Sequence, residues 1–197
     1  MHPYATDSGR ERYAILAIAI LSVLFAFAMH RLFQFAHFQP PWWLDTPAVL
    51  GFFGIVWKWY DRVVWHWRRG PLHVSDVPYL SGEWVGEVQS SHNSTRISAT
   101  LTIHQTASHI LIELVTENSR SQSVMATLNC KPGLYHGLHY AFNNHPHALN
   151  APTMAPHRGQ AHLRIEDGGM TLVGDYNTDQ HRGNHGRMKF RRDRRAC

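Results

Sequence analysis

An uncharged stretch of 17 residues, YAILAIAILSVLFAFAM from Tyr13 to Met29, constrains this chain more than any other feature. At about 1.5 Å per residue, a helix of this length nearly spans a hydrocarbon core of roughly 30 Å. A cleavable signal peptide is the alternative, but no small-residue cleavage site follows Met29. The stretch therefore predicts a retained transmembrane helix.

A second apolar stretch, PAVLGFFGIVW, begins at Pro47 and has 11 residues before Lys58. It can cross a membrane if Lys58 snorkels and the nearby aromatic residues lie at the headgroup level. Arginines precede the first stretch and follow the second, so the positive-inside rule places both chain ends in the cytoplasm. The prediction is a membrane anchor in residues 1–75, with transmembrane helices at about 13–33 and 46–66.

The net charge of +5 is unevenly distributed along the chain. Residues 1–75 contain seven Lys/Arg and four Asp/Glu, residues 76–193 contain ten of each, and residues 194–197 form a basic tail with two arginines. A neutral soluble region lacks the phosphate-binding charge that a long nucleic acid requires, so no DNA or RNA polymer is expected as a partner. The basic anchor suits anionic membrane lipid.

The soluble region alternates apolar and polar residues with a period of two, as in ISATLTIH from Ile97 to His104. Turn signals such as CKPG and EDGG separate about eight such segments, and no long helical pattern interrupts them. These patterns predict an all-β domain over residues 76–193, a small up-and-down antiparallel β-barrel of about eight strands that can hold one small ligand. A β-sandwich is the alternative. The use of only two cysteines indicates a reducing compartment, so the domain is expected to be cytoplasmic.

Chain order places alternate connections of such a meander together at the end far from the membrane linker. Four arginines lie on or beside these connections, which predicts a cationic rim; solvated surface arginines are the alternative. They are Arg96, Arg120, Arg158 and Arg182. The longest connection, from Ala141 to Gly159, is long for a hairpin loop in a compact barrel.

A metal site or an active site is not indicated by the sequence. His136 and His139 would point to opposite faces of a strand, so this pair does not suit a shared metal. Cys130 has no identifiable base partner, and no phosphate-cradling loop, nucleophile elbow or paired-carboxylate pattern is present. We expect no catalytic residue, no metal ligand and no enzyme activity.

Five segments, in this order behind two membrane stretches, resemble the CBASS Cap15-type effectors, a two-transmembrane, β-strand-rich family of bacterial antiphage signalling. They are DRVVWHW, VPYLSGEWVGEV, LHYAFNNHP, HRGQAHL and LVGDYNTDQHRGNHGRMKFRR, and the resemblance covers about residues 12–192. In the family an arginine usually follows a Tyr-x-Thr segment, whereas DYNTDQHR has Gln180 at that place and Arg182 two residues later.

The resemblance implies a membrane-anchored effector whose β-barrel binds a cyclic dinucleotide, made by a partner nucleotidyltransferase during phage infection. Ligand binding would trigger homo-oligomer assembly and disruption of the bacterial inner membrane, which kills the infected cell. The activating cyclic dinucleotide is the ligand, and no cofactor is expected. The alternative is a membrane-tethered barrel that binds a lipid or other small apolar ligand, for which Ala99, Ala126 and Ala161 would leave interior room.

The residues predicted to contact the ligand can bind phosphates, hydrogen-bond base edges or stack on bases. They are Arg120, Tyr140, Asn143, Asn144, His157, Arg158, Tyr176, Thr178 and Arg182.

Overall fold

The computed structural model describes residues 1–37, 45–69, 72–91, 96–133, 136–147, 155–179 and 183–193. Two compact units are present, one containing residues 9–76 and the other containing residues 1–8 together with the chain from Val77 onward. This division differs from the predicted one, because residues 1–8 precede the first apolar stretch yet belong to the β domain.

The secondary structure elements follow the predicted order, with one unexpected strand at the start. In chain order they are β1 (His2–Thr6), α1 (Arg10–Phe35), α2 (Asp45–Arg62), a 3-10 turn (Val64–His66), β2 (Arg68–Arg69), β3 (Leu72–His73), β4 (Gly82–Ser90), β5 (Arg96–Gln105), β6 (His109–Thr116), β7 (Ser119–Asn129), β8 (Gly137–Pro146), β9 (His157–Glu166), β10 (Thr171–Thr178) and β11 (His185–Arg192).

Two packed helices dominate the unit of residues 9–76. The rings of Phe25 in α1 and Phe52 in α2 stack with centroids 4.0 Å apart. Among the described residues, α1 is the one helix long and apolar enough to cross a membrane, with a mean hydropathy of 2.2 over 18 residues. The second predicted span is present as the 18-residue helix α2, but four charged residues, including Lys58 and Asp61, keep it outside that class.

The β domain is a closed barrel, as predicted. Strands β4 to β11 are the eight predicted segments, and each pairs antiparallel with the next, with β11 closing back onto β4. A ninth strand, β1, lies between β6 and β7, antiparallel to β6 and parallel to β7. No sequence pattern indicates β1, because this strand is five residues long and its partners lie more than a hundred residues away in the chain.

The interior of the barrel is filled at its near end, where β4 begins. Side chains such as Leu101, Leu128, Leu163 and Phe190 are fully buried. Leu80, just before β4, is also fully buried, and its carbonyl accepts a hydrogen bond of 3.0 Å from the Trp84 indole. The three alanines expected to leave interior room are also buried, and two of them, Ala126 and Ala161, are register partners of Tyr140, further toward the far end. The near half is therefore a packed core. Space for a ligand inside the barrel remains at the far end, where the connections β4–β5, β6–β7, β8–β9 and β10–β11 lie.

Candidate functional site

Two tyrosines and two small residues form one row across the barrel. Tyr140, Ala161, Tyr176 and Gly186 are register partners on β8, β9, β10 and β11. A side chain at Gly186 would lie 2.6 Å from Cε1 of Tyr176, so the absence of a Cβ is what admits the ring there. Bulky and small residues alternate along this row, which fits the taper of a small barrel and leaves space beside each ring.

The next rows toward the far end become polar. Phe142 pairs with Gly159, whose missing Cβ would overlap the Phe142 ring. Beyond them, Ser121, Asn144 and His157 are register partners on β7, β8 and β9. Ser121 and Asn144 are 4% and 7% exposed, so hydroxyl and amide groups lie inside the barrel just above its aromatic layer.

These rows enclose a cavity of about 240 Å³ at the far end of the barrel. All four far-end connections or the strand ends beside them contribute to its wall. The lining is aromatic (Tyr140, Phe142, Tyr176), aliphatic (Val88, Ile97, Leu114, Met188) and polar (Ser90, Thr116, Asn118, Ser119, Ser121, Asn144, His157, Thr178, Asn184). None of the described residues that line it is Lys, Arg, Asp or Glu, so the described part of its wall is polar without carrying these charged side chains.

The hydroxyl groups of the wall differ in what they can offer a ligand. Complete burial raises the pKa of the Tyr140 phenol, which therefore keeps its proton and can donate a hydrogen bond. The Thr178 hydroxyl donates to the Asn184 carbonyl at 3.1 Å and accepts from the Asn184 N–H at 2.9 Å. Since a hydroxyl has a single proton to donate, Thr178 shapes the β10–β11 turn and has only an acceptor position left for a ligand.

Five of the nine predicted contact residues come together at this cavity: Tyr140, Asn144, His157, Tyr176 and Thr178. Asn143 and Arg158 face outward, where they line a separate shallow depression. Arg120 also faces outward and makes two hydrogen bonds of 3.0 Å to the Glu113 carboxylate. Arg182 lies outside the described residues.

The predicted cationic rim does not form from the described arginines. Arg96 is paired with Glu87 at 3.3 Å and Arg120 with Glu113 at 3.0 Å. Both pairs join neighbouring strands on the outer surface, because strand residues one step from an inward position point away from the interior. Opposite charges therefore neutralise each other outside the mouth.

The predicted long connection from Ala141 to Gly159 is shorter in the structure. Strand β8 continues to Pro146 and β9 begins at His157, so Tyr140 lies within a strand and not at its end. The signal for this was present, because the alternation through Leu138 and Tyr140 continues through Phe142 and Asn144. Phe142 was missed as a site residue for this reason. Ser121 was missed because it follows a turn in a polar sequence.

A wider and shallower depression of about 590 Å³ involves β7 to β11 and contains a stacked pair of imidazoles. The rings of His139 and His162 lie 3.9 Å apart and nearly parallel. Burial lowers the pKa of His162, so this ring is neutral at physiological pH, and the Asp175 carboxylate lies at the same site. Among the described residues no cluster of three His, Cys, Asp or Glu could hold a metal. The depression therefore suits an anion less well than the mouth cavity.

The β domain matches a known protein family. A family model described as Cap15, cyclic dinucleotide receptor domain, matches residues 75–192. This range includes strands β4 to β11 and every described residue that lines the mouth cavity. No curated protein matches the chain.

Proposed function

The chain belongs to the Cap15 family of cyclic dinucleotide receptors, and we propose that its ligand enters the barrel through the mouth cavity. The observation that carries this proposal is the polar, aromatic-lined mouth on a barrel whose near half is filled. A filled near half also disfavours the alternative of an acyl chain or another long apolar ligand, since such a ligand needs continuous apolar space.

The size of the cavity suggests how the ligand is held. Small-molecule sites usually enclose about 300–1,000 Å³, so a cavity of about 240 Å³ would take one part of a cyclic dinucleotide. We place one nucleobase inside, against the rings of Tyr140 and Tyr176, with Asn144 and Ser121 at its polar edge. Stacking of this kind contributes about 1–3 kcal/mol per base.

The phosphates are then held at the rim by neutral donors. Hydroxyl, amide and backbone N–H groups can each donate to a phosphate oxygen, and His157 can add a charge-assisted bond when it is protonated. Arg182 remains the predicted arginine contact. In this arrangement the protein acts by binding, and we propose no catalytic step.

The position of β1 bears on membrane topology. Because β1 and β4 to β11 belong to one barrel, residues 1–8 and residues 77–193 lie on the same side of any membrane. The chain between them must then cross an even number of times. Since α1 is long and apolar enough to cross, we propose that α2 returns the chain and that the protein is multi-pass. The positive-inside rule puts the barrel in the cytoplasm, and the membrane is the bacterial inner membrane.

We propose that the cyclic dinucleotide comes from a partner nucleotidyltransferase and that its binding drives homo-oligomer assembly. Assembly brings membrane hairpins of several copies together and disrupts the inner membrane, as the antiphage role of the family implies. The helices support this step, because α2 has only 18 residues, four of them charged. A short, charged helix perturbs or thins the bilayer around it, and clustering many copies concentrates that perturbation.

The full-length protein, reconstituted in liposomes loaded with a self-quenching dye, tests both parts of the proposal. A panel of cyclic dinucleotides with purine and pyrimidine bases is added, and melting temperature and dye release are measured. A ligand at 100 times its dissociation constant should add about 2.7 kcal/mol of stability. If no cyclic dinucleotide stabilises the protein, the binding site is wrong. Stabilisation without dye release would retain the binding site and reject membrane disruption.

A further inference from the structure

The strands β6 and β7 form a hairpin that is open at one end. They pair directly only beside their turn, through Glu113–Gln122, Leu114–Ser121 and Val115–Arg120. Toward the near end of the barrel the two strands separate, and β1 fills the wedge between them. We call this wedge, between His109–Ile110 of β6 and Ala126–Leu128 of β7, the strand slot. Two facing strand edges make the slot a site for an extended segment of about five residues.

Ser123 lies at the point where the two strands separate. Its Oγ accepts a hydrogen bond of 2.9 Å from the Ile112 N–H of β6 and lies 2.8 Å from Nε2 of His2 in β1. A register shift, typical of a β-bulge, occurs in β7 between Ser123 and Met125. The side chain of Ser123 thus takes the place of a main-chain acceptor at the fork and touches both the hairpin and β1.

Side chains of β1 and of Asp7, which follows it, make further hydrogen bonds to the barrel. The Tyr4 hydroxyl donates to the Thr106 carbonyl at 3.2 Å and accepts from the Gln105 side-chain amide at 3.3 Å. The Asp7 carboxylate accepts from the backbone N–H groups of Cys130 at 2.6 Å and Lys131 at 3.0 Å. These groups recognise the sequence of β1, and they would recognise it equally in β1 of another copy.

The strand slot is connected to the mouth cavity through the same hairpin. Leu114, Thr116, Ser119 and Ser121 line the cavity, and Ser123 is the next residue after Ser121 on that face of β7. A ligand in the mouth therefore contacts the closed end of the hairpin whose open end holds β1. A change in the separation of β6 and β7 alters the fit of β1 directly.

We propose that the strand slot is an interaction site for β1 of a second copy of this chain, and that strand exchange joins the barrels in the assembled state. The proposal rests on the ligand-driven assembly of the proposed function and names the contact that would produce it. An exchanged strand makes the same hydrogen bonds as the original one, so exchange costs little once β1 is released. Each copy donates its strand to one neighbour and receives a strand from another, a head-to-tail contact that can extend without closing.

Residues 7–9 support exchange because they are the whole connection between β1 and α1. Copies held in one membrane diffuse in one plane, which raises the frequency at which β1 of one copy meets the strand slot of another. An empty slot would expose two strand edges, which pair readily with any available strand. The neighbouring β1, confined to the same plane, is the segment whose side chains match the slot.

The native Cys130 gives a direct test, since its Sγ lies 3.5 Å from Oγ1 of Thr6 in β1. Two differently tagged full-length copies are co-expressed in one membrane, both with Cys197→Ser. The first copy carries Thr6→Cys and Cys130→Ser, and the second keeps Thr6 and Cys130. Neither copy can form the disulfide alone, so a disulfide between the two tags reports an exchanged strand. The panel of cyclic dinucleotides is added before oxidation, and assembly is measured separately on native gels.

The expected result is several-fold more disulfide between the two tags with an assembling cyclic dinucleotide than without it. As a matched control, Lys189→Cys replaces Thr6→Cys in the first copy, because Lys189 is exposed on the outer surface and reports collisions only. If Thr6→Cys disturbs β1, the register partners Ala5→Cys and Thr127→Cys provide a second pair.

The outcomes separate the two proposals. Assemblies that form with no more tag-to-tag disulfide than the Lys189 control overturn strand exchange and leave the proposed function standing. An equal disulfide yield with and without ligand also overturns the proposal, because exchange would then be independent of the signal. If no cyclic dinucleotide produces assemblies, the assembly step of the proposed function fails, and strand exchange fails with it. A single copy with Thr6→Cys and native Cys130 should, once oxidised, stay monomeric with ligand and assemble after reduction.

Discussion

The Asp7 carboxylate accepts a hydrogen bond of 2.6 Å from the backbone N–H of Cys130, 123 residues away in the chain. This contact holds the short connection between β1 and α1 against the barrel. Asp7→Ala should increase hydrogen exchange at the amides of β1 and lower the melting temperature. Asp175→Ala is the matched control, because this exposed carboxylate makes one long contact of 4.0 Å with Arg187. It should change neither the hydrogen exchange of β1 nor the melting temperature. Equal exchange in the two variants would show that Asp7 does not hold β1.

The same contact predicts how β1 responds to acid. Hydrogen bonds from the Cys130 and Lys131 N–H groups hold the pKa of Asp7 below its ordinary value of 3.8. A carboxyl group with a lowered pKa stabilises the folded state fully above its unfolded pKa and loses that contribution as pH falls through the folded pKa. Protection of β1 in hydrogen exchange should therefore persist from neutral pH to about pH 4 and fall at lower pH. In Asp7→Asn the step should be absent; a wild-type step near neutral pH would assign the effect to another group.

Adjacent asparagines on opposite faces of β8 test the mouth cavity. Asn144 is buried at the cavity and Asn143 faces outward. Asn144→Ala should weaken cyclic dinucleotide binding by about 1–3 kcal/mol, since a buried hydrogen-bond partner is lost. Asn143→Ala should leave the affinity unchanged, and calorimetric titration of both variants makes the comparison. Equal losses would place the ligand outside the barrel.

The close approach of Gly186 to Tyr176 predicts a cost for any side chain there. A Cβ at Gly186 would lie 2.1 Å from the Gln89 carbonyl oxygen as well as against the ring. Gly186→Ala should destabilise the barrel by about 1–3 kcal/mol, as overpacking does, and should reduce ligand affinity by displacing Tyr176. Gly133→Ala, where a Cβ meets nothing within 4 Å, is the control for the loss of a glycine. Unchanged melting of Gly186→Ala would mean that the β10–β11 pair can shift to accept a side chain.

A fragment of residues 77–193 should contain an incomplete barrel, because β1 is missing. Its melting temperature should rise when a peptide of residues 1–8 is added, as the peptide pairs with both edges of the strand slot. A peptide with Tyr4→Ala and Asp7→Ala is the control, since it keeps the backbone groups and loses the side-chain contacts. If the fragment melts identically with no peptide and with either peptide, β1 is dispensable for the barrel.

The barrel itself could be predicted from the sequence because its information is local. Each of β4 to β11 carries its own alternation, and turns such as EDGG mark where strands reverse. Inward positions follow from that alternation, and Tyr140 and Tyr176 lie on the inward face of their strands. Asn144 was predicted as a loop residue together with Asn143, and the strand alternation through Phe142 shows which of the two faces inward. The arginines were predicted at the rim of the mouth, but Arg96 and Arg120 lie on the outer surface. Counting strands shows at which end of the barrel a residue lies, whereas the strand register decides whether its side chain points inward or outward. Arg158 lies one residue from an inward position and so points outward.

The strand β1 could not be predicted because nothing in its five residues indicates pairing. The sequence HPYAT contains a proline and one aromatic residue, and it precedes a far stronger helical signal. Its place depends on the separation of β6 and β7, which is a property of the folded barrel. Whether a distant segment adds a strand to a sheet depends on the tertiary structure, and the β-propensity of that segment predicts little about it.

The position of β1 also governs the order of events during biosynthesis. Translation produces β1 before α1, yet its partner residues in β6 and β7 begin at His109 and end at Leu128. Domains fold as their residues leave the ribosome, at about 5–20 residues per second. Both helices are therefore synthesised, and can enter the bilayer, well before β1 has anything to pair with. The receptor can close its barrel only on chains whose N-terminal end lies on the same side of the membrane as residues 77–193, so a chain that crossed an odd number of times would leave its barrel open.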